Sequence, residues 1–179
     1  MVIIPDDKDW TWVLEQPCQE CGFNAAGVTP STVAETVSHM LPRWQAVLRR
    51  QDAAERPNDH TWSPLEYACH VRDVFSLFDQ RLNLMLNDDD AHFANWDQNQ
   101  AAIDGDYAKA DPQEVSAELE AEGRQISASF AGVTEDQWQR TGKRSNGSVF
   151  TVLTFSQYFL HDVVHHLHDV VHHLHDVDG

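Results

Sequence analysis

Near its C-terminus the chain reads His161-Asp162-Val163-Val164-His165-His166-Leu167-His168, and Val163 to Asp169 recurs letter for letter as Val170 to Asp176. On a helix, histidines four positions apart project from one face a turn apart, and two imidazoles so placed can close on one divalent metal ion. The sequence offers that spacing twice, as His161 with His165 and as His168 with His172, because a seven-residue period is about two helical turns. The first pair is favoured, since it follows directly from the apolar Phe155 to Leu160 stretch. An imidazole buried there without a partner would cost on the order of 1–3 kcal/mol, so a partner is expected. Two plainer readings compete: a His-rich end that takes up metal adventitiously, and a slipped duplication that only continues a core helix.

A catalytic ion usually takes three protein ligands plus water, so a second helix has to supply the third. His70 is the candidate. It lies about one turn into a well-capped helix beside the stripe of Tyr67, Val71 and Val74, whereas His39 and His60 have poorer settings and His92 falls in an acidic segment. A histidine beside an apolar stripe is also the ordinary form of a packed core residue. Imidazole ligands suit zinc, nickel, iron or copper, and zinc is the expected ion. The reacting group would then be a metal-bound thiol or water, with no catalytic side chain singled out. Cys18 and Cys21 form a Cys-x2-Cys that reads as a redox pair, as half of a zinc site, or as a turn with two packed thiols; a four-cysteine site would need a second pair, which the chain does not have.

Several helices must position these residues. Apolar positions recur at three and four residues from Pro30 to about Gln51 through Val33, Val37, Leu41 and Trp44, with Pro42 expected to kink the helix. Ser63-Pro64-Leu65-Glu66 places a capping serine, a proline at the first helical position and a carboxylate at the third, opening a helix that runs to Asn87. Asp111-Pro112-Gln113-Glu114 repeats that start for a third long helix ending near Gly132. A fourth is expected from about Thr151 into the histidines, while residues 88 to 110 read as a long crossover with one short helical turn. No convincing pair of alternating strands is visible. The expected fold is all-α, a four-helix bundle with a long crossover between helices 2 and 3, formed by residues 30–179 and preceded by an N-terminal arm, residues 1–29, that packs by its aromatics.

With 179 residues, the chain is long enough for one domain with a real core. A net charge of −17 repels phosphate backbones and there is no basic stripe, so nucleic acid is excluded as a partner and a small molecule is expected. The absence of a signal pattern and of a long apolar run argues against a membrane partner, and three cysteines suit a reducing, cytoplasmic setting.

Two stretches, Trp62-Ser63-Pro64-Leu65-Glu66-Tyr67-Ala68-Cys69-His70-Val71-Arg72-Asp73 and Phe159-Leu160-His161-Asp162-Val163-Val164-His165-His166-Leu167, together resemble the DinB superfamily, which includes mycothiol-dependent maleylpyruvate isomerases and bacillithiol transferases. The resemblance covers most of the chain, from the first helix to about His166. It implies a four-helix bundle, often a homodimer, with a metal held by one histidine of the second helix and an H-x3-H pair of the last: His70, His161 and His165. In the isomerase branch the earlier member of the last pair is a glutamate, and His161 in that place puts this chain nearer the three-histidine type. The Trp10-Thr11-Trp12 and Cys18 to Phe23 segments resemble an arm of actinobacterial members, which implies mycothiol as cosubstrate. The implied activity is a metal-dependent transfer of a low-molecular-weight thiol to small electrophiles. A metal-dependent hydrolase and a non-catalytic metal-binding protein are the alternatives. The second heptad has no counterpart in the pattern, so whether His168 and His172 replace or add to the first pair stays open.

Overall fold

Local caps set the helix starts. Ser63 Oγ accepts from the Glu66 N–H at 3.2 Å and the Glu66 carboxylate accepts the Ser63 N–H at 2.9 Å, with Pro64 following, so α2 runs Pro64–Asn87. Asp111 accepts from the N–H groups of Gln113 and Glu114 and opens α4, Pro112–Ala131. A weaker start, without a side-chain cap, begins α1 at Val33–Leu48, and this helix continues past Pro42. The computed structural model describes residues 9–172, so His173 and His175 of the second heptad lie outside the described residues.

The crossover is more structured than one helical turn. It holds β1 (Ala91–Phe93), α3 (Gln98–Asp104) and a 3-10 turn at Tyr107–Lys109. After α4 come β2 (Thr141–Arg144) and β3 (Val149–Thr151), which leads directly into α5, Val152–His172. β1 pairs in parallel with β2, Ala91 opposite Gly142, and β2 pairs antiparallel with β3, Gly142 opposite Phe150. The expectation of an all-α chain is therefore corrected: a three-stranded sheet caps one end of the bundle. Strands of three or four residues show too few alternations to register as a period, and β1 reaches its partner across the whole of α4.

α1, α2, α4 and α5 form the bundle, with α2 and α1 both packed along α4 and α5 lying against α1 and α2. Trp44, Phe75, Leu82, Phe130, Phe155 and Phe159 fill its interior. The N-terminal arm contributes 3-10 turns at Trp10–Leu14 and Ala25–Gly27 that pack on α5, where Gln157 donates to the backbone oxygen of Ala25 at 3.0 Å. No helix among the described residues is long and apolar enough to cross a membrane.

Candidate metal centre

Neighbouring residues on an α-helix point about 100° apart, so α5 presents two different pairs at four-residue spacing on adjacent faces. One face carries Asp162 and His166 and turns toward α2. There His70 Nε2 lies 3.3 Å from Asp162 Oδ1, and His166 Nε2 lies 3.7 Å from the same oxygen. The His70 and His166 rings meet edge to face at 4.7 Å. One ligand atom from each of His70, Asp162 and His166 lies within 4.8 Å of the others.

The adjacent face carries His161 and His165 and turns toward the N-terminal arm. Cys18 Sγ lies 3.7 Å from His165 Nδ1, and ligand atoms of Cys18, Cys21, His161 and His165 all fall within 4.8 Å of one another. Of the three histidines expected to converge, the structure thus brings His161 and His165 together and sets His70 apart from them, with Asp162 and His166. Sequence reasoning missed the Asp162-x3-His166 pair, although its spacing is the same, and it missed the arm cysteines as partners of His161 and His165. A Cys-x2-Cys together with a His-x3-His was the available signal. His168 and His172 touch each other, ring centroids 4.3 Å apart, and neither joins a group of three ligand atoms among the described residues.

The surroundings favour neutral imidazoles and an ionised carboxylate. His70 is 0% exposed, stacked on Trp96 and against Trp62, and this burial pulls its pKa below the usual imidazole value despite the opposing pull of Asp162. Burial would raise Asp162, but the hydrogen bond with His70 and the neighbouring imidazoles hold it at about 2. Burial and then the charge of His165 bring His161 down to about 4, and burial also lowers His165. Desolvation raises the Cys21 thiol to about 11, with the Phe23 amide opposing and Cys18 reinforcing it.

Two carboxylates flank the histidine rings. His165 Nε2 faces Glu20 at 3.4 Å and Asp169 at 3.6 Å, and the same Asp169 oxygen lies 3.6 Å from His166 Nδ1. Above both clusters opens a cleft of about 610 Å³, walled by Trp10, Trp62, Tyr67 and Trp96 and reached by Asp162, His166, His161 and His165. Arg144, delivered by the end of β2, lines the same cleft with Asn146 and Tyr158 and donates to the Tyr158 hydroxyl at 3.3 Å.

The donor set of His70, Asp162 and His166, two imidazoles and a carboxylate, is one that divalent transition metals take, and it would leave positions open toward the cleft. Burial keeps the His70 ring neutral, and its Nε2, the nitrogen that faces Asp162, is the atom available to an ion. The residues present therefore fit such an ion.

The structure of YfiT from Bacillus subtilis, described as a probable metal-dependent hydrolase with an unusual four-helix bundle topology, aligns with this chain at a TM-score of 0.71. Sequence identity is 14%, and the alignment covers 89% of this chain and 93% of YfiT, a likeness of fold. No curated protein matches by sequence. The profile of the DinB superfamily matches residues 5–170, and the chain belongs to that superfamily.

Proposed function

We propose that this chain is a metal-dependent enzyme that joins a low-molecular-weight thiol, such as mycothiol, to a small electrophile, with the ion held by His70, Asp162 and His166. The convergence of those three side chains carries the reading: Asp162 and His166 line the cleft, and His70 lies buried beside them. Asp162-x3-His166 also has the carboxylate-x3-histidine form that the isomerase branch implies, so the carboxylate site takes precedence over the His70, His161 and His165 set. A divalent ion, when bound, supplies Lewis acidity that lowers the pKa of a thiol or water and makes a nucleophile near neutral pH.

The protein's own groups do the rest. Asp162 brings a negative charge that stays ionised across the working pH range. Trp62 and Trp96 enclose the His70 ring and exclude water from its side of the site. Arg144 and Asn146 offer the cleft's donors for an anionic or carbonyl group, orienting it against the floor. Zinc suits the ligand set, with nickel or iron as alternatives, and a homodimer belongs to the same proposal.

The hydrolase reading draws on the description of YfiT, where water would take the place of the thiol. A single assay separates them: metal-loaded protein is incubated with electrophiles with and without mycothiol, and products are resolved by mass spectrometry. Thiol adducts formed only with the loaded protein and lost in His166→Ala support the transfer reading. Hydrolysis products without adducts favour the second reading. Activity that survives His166→Ala and Asp162→Ala but vanishes in His161→Ala would restore the set of His70, His161 and His165.

A further inference from the structure

We propose a second metal site, a structural Cys2His2 zinc site formed by Cys18 and Cys21 of the N-terminal arm and His161 and His165 of α5. Cys18 and His165 are 147 residues apart in sequence, yet their ligand atoms lie 3.7 Å apart. Around a tetrahedral zinc with bonds of about 2.3 Å to sulfur and about 2.0 Å to nitrogen, neighbouring S and N atoms are separated by about 3.5 Å. The observed spacing is therefore that of two corners of one coordination tetrahedron.

Five further observations point the same way. Cys18 is 2% exposed and His161 4%, and His161 Nε2 is buried without a hydrogen-bond partner among the described residues. All three cysteines are free, so Cys18 and Cys21 are both available as thiolates. The Cys18 to Phe23 loop is closed by Gly22 N–H to Cys18 O at 3.0 Å and Cys18 N–H to Phe23 O at 2.8 Å. Gly22 adopts φ +74°, the left-handed conformation that lets the chain turn so that the Phe23 carbonyl reaches the Cys18 N–H. Finally, His165 turns Nδ1 toward Cys18 while its Nε2 faces Glu20 and Asp169, the arrangement in which a carboxylate orients a metal-ligating imidazole.

Two thiolates and two imidazoles suit zinc and fill its four positions, which marks the site as structural. Binding displaces one proton from each thiol, and both imidazoles bind neutral. Zinc here staples the arm to α5. It thereby sets Trp10, whose ring packs tilted against His161 and His165 at 5.2 and 5.1 Å, as one wall of the cleft.

This proposal stands apart from the His70 centre and has its own readout. The full-length chain, exchanged into cobalt(II), is expected to show thiolate-to-cobalt charge-transfer absorption with the intense visible bands of a tetrahedral ion, and two metals per chain by elemental analysis. Cys18→Ser and Cys21→Ser should abolish the charge-transfer bands and lower the metal count to one. His70→Ala should keep the bands while losing the other metal. Absence of charge transfer in the wild-type chain, or its persistence in Cys18→Ser, overturns the proposal, as does a Cys18–Cys21 disulfide in protein purified without added oxidant. The wild-type spectrum decides the matter even where a variant does not fold.

Discussion

Glu66 joins the α2 cap to a buried ion pair, and its removal has a calculable cost. Its carboxylate accepts from Arg56 through both Nε, at 2.8 Å, and Nη2, and from the Ser63 N–H at 2.9 Å, while it is itself only 3% exposed. In Glu66→Ala the Ser63 N–H loses its acceptor, worth about 1 kcal/mol on the scale of a lost cap. Arg56 loses a bidentate charged partner, about 1.5–3 kcal/mol, taken toward the low end because its side chain remains 28% exposed. The sum is about 3 kcal/mol. For a domain of this size that lowers Tm by about 6–12 °C, and Glu66→Gln, which keeps one acceptor, by about 4–8 °C. The pH dependence gives an independent check. Burial pushes the Glu66 carboxyl up, but Arg56 and Ser63 outweigh it, so the folded pKa lies below the ordinary 4.5. A depressed carboxyl contributes fully above its unfolded value and loses that contribution as pH falls through the folded one. Melting curves of wild type and Glu66→Gln should therefore stand apart at neutral pH and converge as pH drops below 4.5. A Tm change under about 2 °C at pH 7, or a gap that is constant down to acid pH, would refute this account.

Four other outcomes follow from the same structure. His166→Ala should remove one metal equivalent, read by elemental analysis, and leave any cobalt–thiolate absorption intact. Asp169→Asn, which alters the carboxylate facing rings of both clusters, should weaken metal binding by about 10–100-fold in chelator competition, the usual cost of an outer-shell partner. Arg144→Ala should raise KM for anionic electrophiles more than it lowers kcat, because the guanidinium binds in the cleft without touching the candidate metal ligands. Gly123→Ala should destabilise by about 1–3 kcal/mol in denaturant titration, since a Cβ there would collide with Leu41 and press on Phe75 where α4 meets α1 and α2, outweighing the better helix propensity of alanine.

Helix starts were legible because a cap is local: Ser63, Pro64 and Glu66 carry everything needed to begin α2 within four residues. The sheet was not, because Ala91 and Gly142 are brought together only by the path of α3 and α4 between them. The four-residue histidine spacing pointed to α5, and α5 contributes residues to both groups of candidate metal ligands. Spacing does not say how a helix is rotated against its neighbours. His161 looked like a core-facing residue because Leu160 and Phe159 precede it, yet it is buried by the arm's Trp10 and Phe23 rather than by α2. That burial depends on an arm with no helical period, so nothing in the pattern of α5 announced it. His70 was placed by its helix and cap, but its partner oxygen on Asp162 lay one position beyond the histidine that was chosen.

The one-residue offset between the two pairs on α5 has an evolutionary meaning. An insertion of a single residue just before His161 would advance the helix by about 100°, bringing His161 and His165 to where Asp162 and His166 now face His70. The side chains facing His70 would then be two histidines in place of an aspartate and a histidine, and the arm cysteines would meet the inserted residue and Val164. One codon thus separates two sets of side chains facing His70, and the proposed zinc site would be lost with it, because both of its imidazoles would leave the arm.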